Sequence, residues 1–130
     1  MDFKTQSGAA VVLPSAPWRD AVALKNAIHK EMAQSNIAID LNADISVVVK
    51  FVFQVDSSES IYDAIMKCLA KGTYNTVKIS EATFEDEKAR EDWYDILEGC
   101  LKVNYFPFVV GLRSKYNLIF KALREISSQK

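Results

Sequence analysis

Apolar residues recur at three- and four-residue steps along most of this chain. Ala21, Leu24, Ile28 and Met32 fall on one helical face, with Pro17 in the first turn and Ser35-Asn36 where the pattern fades. Ile61, Ala64, Ile65, Cys68 and Leu69 define a second helix, opened by Asp56-Ser57-Ser58 and closed by Gly72. The longest patterned stretch runs from 80 to 123 and reads as two helices joined at Pro107. That residue has no backbone N–H, so it ends one helix and suits the first turn of the next. Ala89, Trp93, Ile96, Leu97, Cys100 and Leu101 make the buried face of the first of these helices. Val109, Leu112, Tyr116, Ile119, Phe120 and Leu123 make an apolar stripe on the second. Thr83 with Asp86 resembles a capping box, and Glu85, Asp86 and Glu87 load acid where the helix dipole favours it. One unbroken helix over 84–105 would be about 33 Å long, at about 1.5 Å per residue, and is expected to be the scaffold.

Two segments carry mixed signals. Ile45, Val47, Val49, Phe51, Phe53 and Val55 alternate as a strand does, yet Ile45, Val48, Val49, Val52 and Val55 share a helical face that Asp44 could cap. A strand of that length needs a partner the chain does not supply, and its surroundings are helical, so a helix is expected over 44–55. Residues 1–14 read as an extended arm or a small hairpin turning at Ser7-Gly8. Residues 73–80 read as a connecting loop with a short extended piece at 77–79, and 127–130 as a frayed polar tail. The expectation is a mainly α protein: one compact domain over 1–130, with four to five helices and a small N-terminal β-hairpin.

Charge refines this picture. Net charge is −1, so the overall field calls for neither nucleic acid nor an anionic membrane. It is segregated, however. Over 81–95 acids at 81, 85, 86, 87, 91, 92 and 95 outweigh Lys88 and Arg90 (2 − 7 = −5). Over 111–130 bases at 113, 115, 121, 124 and 130 outweigh Glu125 (5 − 1 = +4). Two readings stand: solvated helix faces, or head-to-tail complementarity between subunits. Cys68 and Cys100 lie on apolar faces and read as small buried hydrophobes in a reducing, intracellular setting. Nothing resembles a signal peptide, and no apolar stretch reaches the ~18 residues needed to span a bilayer.

Little here points to catalysis. Glycines 8, 72, 99 and 111 are isolated, so no phosphate-cradling loop forms. His29 stands alone, and the cysteines are too widely spaced for a zinc site. No catalytic, cofactor-binding or metal-binding residues are expected, and the chain is not read as an enzyme. Trp93, Tyr94, Tyr105, Phe106 and Phe108 gather round the helix joint, as core or as a patch that docks a partner. Arg113, Lys121 and Arg124 are the candidate polar interaction residues. A rival reading is a small oligomeric helical adaptor, or a nucleic-acid-binding regulator with 111–124 as its recognition helix. There the cations interleave with apolar residues and the net charge opposes binding.

Two stretches carry a family resemblance. One is APWRDAVALKNAI at 16–28. The other runs from VDSSESIYDAIMKCLAKGTYNTVKIS, starting at 55, through TFEDEKAREDWYDILEGCLKVNYFPFVVGL, ending at 112. Their order and wording resemble the tail assembly chaperones of phages with long non-contractile tails, over about two thirds of the chain. The resemblance implies a small, largely helical, non-enzymatic protein that works in the host cytoplasm and is absent from the mature virion. It would coat the tape measure protein, keep it soluble and help recruit tail tube subunits. Many such chaperones also have a longer form, made by ribosomal frameshifting, whose extra region meets the tube protein. Gln129-Lys130 would suit an A-rich slippery site for that event. Coating a rod calls for a repeating head-to-tail interface, which the segregated charge could supply.

Overall fold

The computed structural model describes residues 1–37 and 45–128. In chain order the elements are β1 (Asp2–Lys4), β2 (Ala10–Val12), α1 (Trp18–Gln34), α2 (Ile45–Val55), α3 (Glu59–Leu69), β3 (Thr73–Tyr74) and β4 (Val77–Lys78). A 3-10 turn (Glu81–Glu85), α4 (Glu87–Glu91), α5 (Trp93–Asn104) and α6 (Phe106–Ser128) follow. The fold is mainly α, with a small four-stranded antiparallel sheet in the order β1-β2-β3-β4.

The N-terminal hairpin turns where Ser7-Gly8 places it. Gly8 takes φ +90°, which a side chain would strain, and its N–H donates to the Thr5 carbonyl at 2.9 Å. Residues 73–80 are not merely a loop. Asn75 and Thr76 both take positive φ, the geometry of a tight two-residue hairpin turn between β3 and β4. The Asn75 side chain accepts from the Ala10 N–H at 2.9 Å, and its own N–H donates to the Ala10 carbonyl at 2.8 Å. The second hairpin is thereby fastened to β2, with Val11 opposite Tyr74.

Beneath the sheet, α1 packs on α3 and α3 on α5. Leu24, Ile28, Ile61, Ile65, Leu69, Ile96, Leu97 and Leu101 are fully buried there, and Val11, Leu13 and Ile79 close the core from the sheet side. The faces read for α1 and α3 are the buried ones. α1 begins one residue later than expected, with Pro17 as its N-cap. Residues 45–55 are helical, with Val52 buried and Val48, Val49 and Val55 partly so. Asp44, read above as the cap of α2, lies outside the described residues. Cys68 and Cys100 are buried free thiols in contact. The Cys68 hydrogen bond and complete burial push Cys100 well up, and the same contact draws Cys68 down.

Gly72 does not close a helix with a left-handed residue: α3 ends at Leu69, and Gly72 lies outside the positive-φ region. It is needed for close approach. A Cβ there would lie 2.9 Å from the Val12 carbonyl oxygen and 2.6 Å from Leu13 Cδ2. Because the backbone atom cannot swing aside, Gly72→Ala is expected to destabilise the fold by about 1–3 kcal/mol in urea denaturation.

The largest correction concerns 84–105, which is not one helix. Asp86 is extended, at φ −80° and ψ 136°, and its carboxylate accepts from the Ala89 N–H at 3.1 Å. It therefore caps α4 itself. The partner of Thr83 is Ser80, whose N–H donates to Thr83 Oγ1 at 3.0 Å. A second break falls at Asp92, between α4 and α5. Its side chain is wholly buried and turned to the N-terminal hairpin. Oδ2 accepts from Thr5 Oγ1 and Tyr74 Oη, both at 2.8 Å, and from Ser7 Oγ, while Oδ1 accepts from the Ser7 N–H at 3.3 Å. Asp92 thus belongs to the core rather than to a solvated acidic face. These breaks give six α-helices among the described residues instead of four to five. The tail expected to fray is helical through Ser128, while Gln129 and Lys130 lie outside the described residues.

Candidate interaction surfaces

The aromatics at the helix joint divide among three places. Tyr105, the single residue between α5 and α6, is fully buried, and Phe106 joins it in the core. The Tyr105 hydroxyl meets His29 Nε2 at 2.9 Å, and the two rings stand edge to face at 5.6 Å. Burial pushes the Tyr105 phenol up to about 12, while burial and then the nearby Lys25 hold His29 below its ordinary range. His29 is therefore a half-buried structural residue whose companion lies 76 positions away. Tyr105 is closed off from solvent, while Phe106 also lines an open groove of about 640 Å³ with Val49, Phe53 and Lys102.

Phe108 instead lines a groove of about 920 Å³ between α1 and the start of α6. Trp18 packs on it at 5.7 Å between centroids, and Lys25 Nζ stands 5.5 Å from its centroid, within cation–π range. Trp18 is 75% exposed, a feature its place at the start of α1 did not reveal.

From this groove α6 continues away from the core. Val109, Leu112, Tyr116, Ile119, Leu123 and Ile126 alternate at steps of three and four, the spacing of a coiled-coil seam. Val109 is buried, but exposure then rises from 36% at Leu112 to 60% at Ile126. Leu118 and Phe120 add further exposed apolar surface. Beyond Val109 the apolar stripe is thus largely exposed among the described residues. Half-buried Arg113 lies beside it near the root, while Lys121 and Arg124 are exposed on other faces of the helix.

Trp93 and Tyr94 belong to a third place, a box of about 420 Å³ with Asp56, Tyr62, Phe84 and Arg90. Trp93 Nε1 donates to Asp56 Oδ2 at 2.8 Å. Phe84 stands edge-on to Trp93 at 5.1 Å, Tyr62 lies 6.3 Å from it, and Tyr94 packs on Phe53 at 4.9 Å. The Asp56 carboxylate, with partial burial, raises the Tyr94 phenol; partial burial and then Glu81 raise Tyr62. The sequence-selected residues therefore make no single site: a core joint, a groove leading to a bare helix, and an aromatic box. Tyr62, Phe84 and Asp56 escaped notice because they come together only in the fold.

No protein-family model, curated protein or solved structure matches this chain. Among the described residues, no helix is long and apolar enough to cross a membrane, and no group of three or more His, Cys, Asp or Glu side chains is placed to hold a metal ion.

Proposed function

We propose that this protein is a tail assembly chaperone of a long-tailed, non-contractile bacteriophage. It coats the tape measure protein, keeps it soluble in the host cytoplasm and helps recruit tail tube subunits, performing no catalysis and leaving before the virion is complete. Contact with the tube protein falls mainly to a longer, frameshifted form.

The observation that carries this reading is the uncovered seam of α6. A helix whose apolar stripe from Leu112 to Ile126 stands 36% to 60% exposed among the described residues is a helix waiting for another helix. A long helical rod offers such a stripe at many points, so many copies can line up along it. The residue patterns at 16–28 and 55–112 supply the identity of the rod.

Co-expression tests the proposal. With the tape measure protein of the same genome, this chain is expected to raise that protein's soluble yield and to co-purify with it. An unchanged yield without co-purification refutes the proposal.

A further inference from the structure

We infer that the box at Trp93 receives a cationic side chain, and that Lys121 or Arg124 of a second copy supplies it. This deepens the repeating-coat reading by naming the contact between successive copies.

The box has the chemistry of a cation receptor. Tyr62 from α3, Phe84 from the 3-10 turn, and Trp93 and Tyr94 from α5 present aromatic surface round a cavity of about 420 Å³. Aromatic faces attract ammonium and guanidinium groups, most strongly where water is partly excluded. The Asp56 carboxylate adds a full negative charge. It accepts from the Trp93 indole and has no ion-pair partner among the described residues. Arg90 lines the same cavity, and its guanidinium is drawn towards Phe84 and Glu85. Its Nε donates to the Phe84 carbonyl at 2.6 Å, and Nη2 lies 3.6 Å from Glu85. Glu81 and Asp63, whose charges reach Tyr62, extend the negative field.

The cation has an evident source. Lys121 and Arg124 are exposed near the tip of α6 and one turn apart, so they can approach one site together. At about 100° per residue, Lys121 lies about 180° and Arg124 about 120° round the helix from the middle of the seam. One side of α6 is therefore apolar and another cationic, so a copy could hold a helical rod with the first and its neighbour with the second. Within one molecule the tip is exposed and the box open, so the tip does not fill its own chain's box. Two different patches on one chain form a heterologous contact, which adds copies without closing.

Complementation between two variants tests this. Asp56→Lys blocks the box; Tyr94→Lys does so from an exposed rim should the first variant fold poorly. Lys121→Glu with Arg124→Glu removes the cations from the tip. In sedimentation velocity at low salt, the unaltered chain is expected to form species that grow with concentration, and 1 M salt to return it to monomer. Each variant alone should be monomeric, its self-association weakened at least about tenfold. An equal mixture should form dimers and stop there, since only one good tip and one good box remain per pair. A monomeric unaltered chain, variants that assemble as it does, a salt-resistant dimer, or a monomeric mixture of variants with native circular dichroism would each overturn the inference. Co-expression of the tip variant separates this from the chaperone reading, because a monomer that still solubilises the tape measure protein leaves that reading standing.

Discussion

Asp92→Ala is expected to unfold this protein at urea concentrations that leave the parent chain native. The carboxylate gathers Thr5, Ser7 and Tyr74 at the junction of α4 and α5. Alanine would leave the buried Thr5 and half-buried Tyr74 hydroxyls without this acceptor, at about 1–3 kcal/mol for each one orphaned, while exposed Ser7 can turn to water. The total, about 2–6 kcal/mol, is a large part of the 5–15 kcal/mol typical of a domain. Asp92→Asn keeps one acceptor oxygen and should fall between the two. The same group sets a pH dependence. Burial raises the Asp92 pKa, but the bonds from Ser7, Tyr74 and Thr5 outweigh it, so the carboxyl lies below its ordinary 3.8. The native state then holds this proton less tightly than the unfolded state. Its contribution is complete above about pH 4 and disappears as pH falls through the lowered value. His29 acts at a higher pH. Because it too is lowered, the native state favours the neutral ring, and its contribution is complete above 6.5 and declines below that. Urea midpoints measured against pH should show both declines, and Asp92→Asn should remove only the one at lower pH.

Ile119→Glu combined with Leu123→Glu should have the opposite profile: unchanged stability and lost function. Both side chains are already about half exposed, so charging them costs the fold little. Docked against an apolar stripe, however, two buried carboxylates without partners would cost several kcal/mol and reduce co-purification to background. Leu101→Ala is the control from the fully buried core, where a loss of about 2–5 kcal/mol is expected. Hydrogen exchange gives a second readout. A helix supported only at its root is marginal, so amides over 113–126 should exchange rapidly in the free chain and become protected with the partner bound.

What the sequence disclosed depended on how far the determining contacts reach. The faces of α1 and α3 were legible because period and burial agree along a single helix. For 45–55 the two periods competed, and the want of a strand partner decided correctly for helix. The break at Asp92 was hidden because its cause is an acceptor shared with residues 5, 7 and 74. Yet Asp92 lies three residues after Ala89 and four before Ile96, so its position on the buried stripe was visible. β3 is two residues long, too short to carry a pattern, and Gly72 could be seen but its neighbour Val12 could not. The seam of α6 was readable as apolar, but periodicity does not say whether an apolar face is covered. The clustered aromatics shared a neighbourhood in sequence, and the bend at Tyr105 then sent them to different places.

The knot at Asp92 also bears on how the chain is made. Thr5 and its acceptor are 87 residues apart, so the first strand leaves the ribosome long before its anchor exists. At about 5–20 residues per second that wait lasts roughly 4–17 s. Until then the hairpin lacks its buried carboxylate and the α1–α3 pair lacks α5. The body closes once α5 is out, and α6 follows α5 in the chain. The helix with the bare apolar stripe thus emerges beside a body already able to fold.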